Sequence, residues 1–161
     1  MSKDPTQGLI VAVMQAVAAF QDSTDHVDEA AAQRLGLNRT DMRCLGILTR
    51  TGATTAGQLA VAAGLSPGAI TAAVDRLARA GYAERVRDDR DRRKVTVQAT
   101  AAAHLRTKEI WGPIGQESHR RLSRRTDAEL EVILAFLEEG RLFQLEHAAR
   151  IKTAQTEQDT P

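Results

Sequence analysis

Residues 66–81 read SPGAITAAVDRLARAG, residues 82–97 continue YAERVRDDRDRRKVTV, and these two segments decide the fold. Ser66 is placed to cap a helix whose first position is Pro67, where the missing N–H costs nothing. Ile70, Val74 and Leu77 recur at the spacing of one buried face, and Gly81 stops the helix just beyond its end. The opposite face carries Gly68, Ala72, Asp75 and Arg79, with Thr71 and Arg76 on its flanks, so it is mostly small. Residues 82–86 and 94–98 alternate as two strands. The tip between them sets Arg90, Arg92, Arg93 and Lys94 among Asp88, Asp89 and Asp91. No packed core accommodates that charge density, so the tip belongs in solvent or against a polyanion.

Just upstream, Thr55 and Gln58 have the spacing of a capping box, opening a helix that runs through Leu59, Ala60, Val61 and Ala63 to Gly64. Gly64 can take the positive φ of a tight interhelical turn, and Ala60 is small enough for close packing. Helix, short glycine turn, helix and two-stranded hairpin together make a winged helix-turn-helix. The flanks read as further helices. Leu9, Ile10, Val13, Met14, Val17 and Phe20 follow helical spacing, the polar run QDSTDHVDEA interrupts them, and AAAQRLG resumes weakly. Asn38 and Asp41 open a helix over about residues 39–50 that buries Met42, Leu45 and Leu48 and ends at Gly52. From Thr100 a helix leads to Trp111-Gly112-Pro113-Ile114-Gly115, where Pro113 predicts an interruption and a kink. Thr126 and Glu129 box the start of a last helix carrying Leu130, Ile133, Leu134, Leu137, Leu142, Leu145 and Ile151.

The fold class is therefore mostly α: a winged lobe over residues 38–98 framed by terminal helices at 8–36 and 100–153, all in one domain spanning 1–161. Residues 154–161 read as a disordered tail. The low aromatic content of 3% also favours helices packed on aliphatic side chains over a β-sandwich. The net charge of +1 conceals segregation. Residues 1–37 hold two basic and five acidic residues, residues 38–125 seventeen and eight, and residues 126–161 three and eight. A basic middle between acidic ends points one part of the fold at an anion. Neither a signal peptide nor an apolar run of roughly 18–20 residues is present, so a cytoplasmic protein without membrane contact is expected. The one cysteine, Cys44, excludes an intramolecular disulfide and reads as a buried small hydrophobe.

Residues 55–97 closely resemble the MarR family of bacterial transcription regulators. The matching pieces are Gln58-Leu59-Ala60, Gly64-Leu65-Ser66, Asp75-Arg76-Leu77, Gly81-Tyr82, Glu84-Arg85 and Asp91-Arg92-Arg93 before Val95 and Val97. The resemblance implies a homodimer with interlocked terminal helices, each winged lobe gripping half of a palindromic site on double-stranded DNA. It also implies that a small lipophilic or phenolic effector, or an oxidant, relieves binding. The chain departs from the family's pattern at Gly112-Pro113, in a helix the family often keeps long. It also lacks the first-helix cysteine of the oxidant-sensing members.

Candidate DNA-binding residues are Thr55, Ser66, Pro67, Gly68, Thr71, Ala72, Arg76, Arg79, Arg90, Arg92 and Arg93. The Ser66 helix offers free amides and a positive dipole end to a phosphate, and its small residues allow close approach to the major groove. With few long polar side chains there, thymine-methyl contacts and DNA shape would carry much of the specificity. Arg76 and Arg79 are expected on the DNA backbone. In the tip, the resemblance implies that Asp91 braces Arg93, which leaves Arg90 or Arg92 to enter a minor groove. Met14, Met42, Arg43, His104 and Trp111 could line an effector pocket, with core packing the competing account of the same residues. His26, His104, His119 and His147 are scattered without ligand spacing, so no metal or cofactor is implied. No Gly-rich phosphate loop or nucleophile elbow is present, and an enzyme is not expected. The alternative function is a winged helix serving as a protein-interaction or dimerisation module, against which the basic tip argues.

Overall fold

In a computed structural model, the structure describes residues 5–87 and 95–158, with side chains as far as Ile151. Helix α1 (Pro5–Leu35) is followed by α2 (Arg39–Thr51), the two-residue strand β1 (Thr54–Thr55), α3 (Ala56–Ala63) and α4 (Pro67–Arg79). Strands β2 (Ala83–Arg87) and β3 (Val95–Ala99) lead to α5 (Ala101–Leu122) and α6 (Asp127–Gln158). The mostly α winged-helix expectation holds. The sheet gains a strand the sequence did not disclose: its order is β1-β3-β2, all antiparallel, with Thr54 opposite Val97 and Ala83 opposite Ala99.

The core gathers α2, α3, α4 and the sheet around Leu45, Leu48, Leu59, Val74, Leu77 and Val97, all essentially inaccessible, with Ala31, Ala32 and Leu35 from the end of α1 closing one side. Cys44 is wholly buried among them, and burial pushes its thiol pKa up. It packs as the small hydrophobe expected.

Three local expectations are corrected. Helix α1 is a single 31-residue helix rather than two pieces. No proline or glycine lies between Gly8 and Gly36, and the polar Ser23 and Thr24 hydroxyls donate to the carbonyls of Ala19 and Phe20 one turn back, so polarity alone does not break it. Helix α5 likewise passes through Trp111–Gly115 without interruption, Pro113 inside it. One missing backbone hydrogen bond does not outweigh the rest of a 22-residue helix. Helix α6 continues to Gln158, so residues 154–158 of the expected tail are helical, and 159–161 lie outside the described residues.

Contacts divide the chain into two compact units, Met1–Gly112 and Pro113–Pro161, and the division falls within α5 instead of at a linker. The second unit is the latter part of α5, a turn, and α6. There Thr126 caps α6 as expected: its hydroxyl accepts from the Glu129 amide at 3.3 Å, while the Glu129 carboxylate accepts from the Thr126 amide at 2.9 Å. The Thr126 amide and, at 3.1 Å, the Thr126 hydroxyl both donate to that carboxylate and hold its pKa below the usual range.

Candidate nucleic-acid interface

Two consecutive caps build the helix-turn-helix. At the start of α3 the Thr55 hydroxyl accepts from the Gln58 amide at 3.2 Å, and the Gln58 side-chain oxygen accepts from the Thr55 amide at 3.1 Å. At its end Gly64 adopts φ 64°, and Leu65 donates back to the Ala60 carbonyl at 2.9 Å while its side chain turns toward the core. Gly81 closes α4 in the same way, with φ 76° and a Tyr82-to-Leu77 hydrogen bond of 2.8 Å. The Ser66 hydroxyl accepts from the Ala69 amide at 3.3 Å, with Pro67 at the first helical position. Across the Gly64–Ser66 break the chain bends by 105° between α3 and α4. No single helix among the described residues is long and apolar enough to cross a membrane, and the apolar α3–α4 pair spends Leu59, Ala63, Ile70 and Leu77 on the core.

The structure buries Ile70, Ala73, Val74 and Leu77 and turns Ser66, Pro67, Gly68, Thr71, Ala72, Asp75 and Arg79 outward. The exposed face of α4 is thus narrow, small and continuous. Thr71 already donates its hydroxyl to the Pro67 carbonyl at 2.9 Å and retains an acceptor oxygen. Arg79 donates Nε to the Asp75 carbonyl at 3.3 Å, its side chain on the same exposed face. Thr55 lies at the α3 cap, partly exposed.

Arg76, on the flank of the exposed α4 face and expected on the DNA backbone, is engaged by a carboxylate of α2. Its Nε donates to Oδ2 of Asp41 at 2.8 Å and its Nη2 to Oδ1 at 2.7 Å. Asp41 is 2% exposed and is the only buried charged residue among those described. The carboxylate raises the Arg76 pKa through these hydrogen bonds. The neighbouring Asp75 pairs with Arg85 of β2 at 2.6 Å. Neither pair was read from the sequence. A signal existed for the first: Asp41 stands four and seven residues before the buried Leu45 and Leu48, so its side chain falls on the core face of α2 and requires a cation. The hairpin tip, with Arg90, Arg92 and Arg93 as DNA candidates and Asp91 as a brace, lies outside the described residues.

Within the first unit, α1, α2, the turn after α3 and α5 enclose an open cleft of about 1000 Å³. Met42, Arg43, His104 and Trp111 line it, as do Arg39, Arg50, Lys108, Leu65 and Asp28. Four of the five residues proposed for an effector pocket are brought together. Met14 is not: it is 67% exposed on the unbroken α1, about 21 Å along the helix axis from Asp28. The cleft pairs the apolar Met42, Leu65 and Trp111 with four basic side chains and one carboxylate.

A capped α3, a sharp glycine turn, a bared α4 and a short antiparallel sheet define a winged helix-turn-helix protein of the DNA-binding class. Residues 35–94 match the sequence profile of the MarR family. The chain is 38% identical over 124 residues to the uncharacterized HTH-type transcriptional regulator YcgE of Bacillus subtilis (strain 168), a match covering 77% of this chain and 80% of that one. The chain belongs to the MarR family of transcription regulators. Its fold is shared with a MarR family protein from Bacillus stearothermophilus, at TM-score 0.64 and 19% identity over 90% of this chain and 99% of that one. It is shared too with NadR in complex with 4-hydroxyphenylacetate, at TM-score 0.57 and 17% identity over 86% and 96%.

Proposed function

We propose that this regulator is a homodimeric repressor whose two α4 helices enter successive major grooves of a pseudo-palindromic operator, and that a small ligand in the cleft releases it. The observation that carries the DNA-binding part is the exposed face of α4. A helix whose outward positions are Ser66, Pro67, Gly68, Thr71 and Ala72 lets its backbone approach base edges, and its N-terminal amides favour a phosphate. Arg79 on the same face supplies a backbone cation, and Arg90 or Arg92 of the tip is proposed for the minor groove.

Dimerisation is supported by apolar surface that a monomer has no use for. Leu9, Ile10, Val13, Met14 and Phe20 of α1 and Val132, Leu134, Phe136, Leu137, Leu142, Phe143 and Leu145 of α6 are all exposed in the single chain. Two α4 helices held by such a frame would meet half-sites about one helical turn, roughly 34 Å, apart. The cleft's chemistry suits a flat apolar body bearing an acidic group, the ring on Trp111 and Met42 and the acid on Arg43 or Lys108. The 4-hydroxyphenylacetate bound by NadR has that chemistry, which supports the reading by likeness of fold.

The experiment is selection of duplexes from a random pool by the purified protein, followed by gel shift at several salt concentrations and sedimentation at micromolar concentration. A selected inverted repeat, a steep fall of affinity with salt and a dimeric mass are expected. Failure to bind any duplex in low salt would favour the protein-interaction reading, and a monomeric mass would remove the dimer.

A further inference from the structure

We propose that Arg76 is a positioning residue rather than a DNA contact, and that its fork on the buried Asp41 fixes the attitude of α4 and links that helix to the wall of the cleft. The proposal rests on the DNA-binding reading above. It starts from the unequal ways in which α4 is held. Ile70, Ala73, Val74 and Leu77 press the helix onto the core and fix which face is buried, but aliphatic contact is non-directional and constrains the finer attitude of the helix less. Direction comes from two adjacent side chains. Arg76 reaches α2 through two parallel hydrogen bonds of 2.8 and 2.7 Å, and Asp75 reaches β2 through Arg85 at 2.6 Å. A two-pronged guanidinium–carboxylate pair specifies an angle as well as a distance.

The Asp41 end of the fork is itself rigid. Its amide donates to the Asn38 side-chain oxygen at 2.8 Å, and the Asn38 side-chain amide donates to Oδ2 at 3.0 Å. The carboxylate side chain is 3% exposed and Arg76 is 38% exposed, so the pair lies at the margin of the core, with its negative partner inside. Moving Arg76 onto a phosphate would strand a buried carboxylate, which is strongly unfavourable. Such pairs often contribute little to net stability, and fixing one arrangement among several is their better-attested use. The residues flanking Asp41 in sequence, Thr40, Met42 and Arg43, line the cleft. Helix α2 therefore faces the cleft on one side and holds the recognition helix on the other. A displacement of its first turn reaches α4 through this fork.

The test uses the full-length protein and a duplex that the wild type selects from a random pool. Asp41→Asn keeps the side chain's shape and alters no residue on the DNA-facing surface. Its affinity for the selected duplex should fall roughly tenfold or more, while its affinity for a random duplex stays within about twofold, because the loss is of fit and not of charge. Arg76→Lys keeps the cation but cannot form the fork, and should show the same loss of discrimination. It also serves if the first variant folds poorly by circular dichroism. Arg76→Gln should leave the slope of log affinity against log salt unchanged, whereas a lost phosphate contact lowers it by about 0.9. A merely structural role would lower the melting temperature and leave the folded fraction's discrimination intact. Wild-type discrimination in both Asp41→Asn and Arg76→Lys, or a salt slope reduced by about one in Arg76→Gln, overturns the proposal. If the wild type selects no duplex at all, the DNA-binding reading fails first and takes this inference with it. If it selects one that Asp41→Asn and Arg76→Lys both read equally well, only this inference fails.

Discussion

The winged lobe and the helix α6 are built from the same aliphatic residues and treat them in opposite ways. In the lobe, Leu45, Leu48, Leu59 and Leu77 are fully buried, and the helices that carry them are short, capped and amphipathic. In α6 the apolar residues crowd several faces, Val132-Ile133-Leu134 and Phe136-Leu137 in succession, and none of its described residues is buried. A helix apolar around most of its circumference normally lies inside a core. The lobe's stability is thus internal to the chain, whereas α6 requires apolar cover that its own unit does not supply.

That contrast can be broken at either end. Leu77→Ala should cost the lobe about 2–5 kcal/mol, as removal of a fully buried leucine does, and raising the protein concentration should not restore the denaturant midpoint beyond the shift seen for wild type. Leu137→Glu addresses the other region. Leu137 is 56% exposed in the single chain, where a surface substitution would change stability by less than about 0.5 kcal/mol. If a partner subunit covers it, dimer affinity should fall by about 2 kcal/mol or more, read by sedimentation across a dilution series, with the lobe's circular dichroism intact. An unchanged dimer would place the interface elsewhere.

Smaller effects sharpen the picture of how the two regions begin their helices. Ser66→Ala removes the acceptor for the Ala69 amide and should lower stability by about 1 kcal/mol in chemical denaturation. It should weaken duplex binding as well, because the same helix end is the one proposed to face the groove. The smallest effect belongs to Glu129, whose carboxyl is held below its usual range by the Thr126 amide and hydroxyl. A lowered folded-state pKa stabilises above the unfolded value, about 4.3, and that stabilisation is lost as pH falls through the folded value. Glu129→Gln can still accept from Thr126 but cannot titrate. The difference in melting temperature between wild type and variant should therefore shrink between about pH 5 and pH 3. A constant difference would show that the cap carries no charge dependence.

Much of this architecture was legible because short-range chemistry wrote it. The capping pairs Thr55 with Gln58, Ser66 with Ala69, and Thr126 with Glu129 span three residues each, and Gly64 and Gly81 end their helices by a property of one residue. The small face of α4 followed from helical spacing alone. Polar residues in α1 and Pro113 in α5 misled for the converse reason, since a local preference against helix was outweighed by the length of helix on either side. Strand β1 was invisible because two threonines have no pattern of their own and become a strand only beside Thr96 and Val97.

The sequence by itself determined a winged helix-turn-helix with a small-faced α4, since caps, turns and periodicity act within one helical turn or one hairpin, and its likeness to other chains placed it in the MarR family. Tertiary structure alone decided that Arg76, read as a DNA contact, grips Asp41 across 35 residues of chain, and that four of five candidate pocket residues meet while Met14 does not. Which charge finds which partner depends on burial and on distances that exist only once the helices have packed, and no local pattern encodes them.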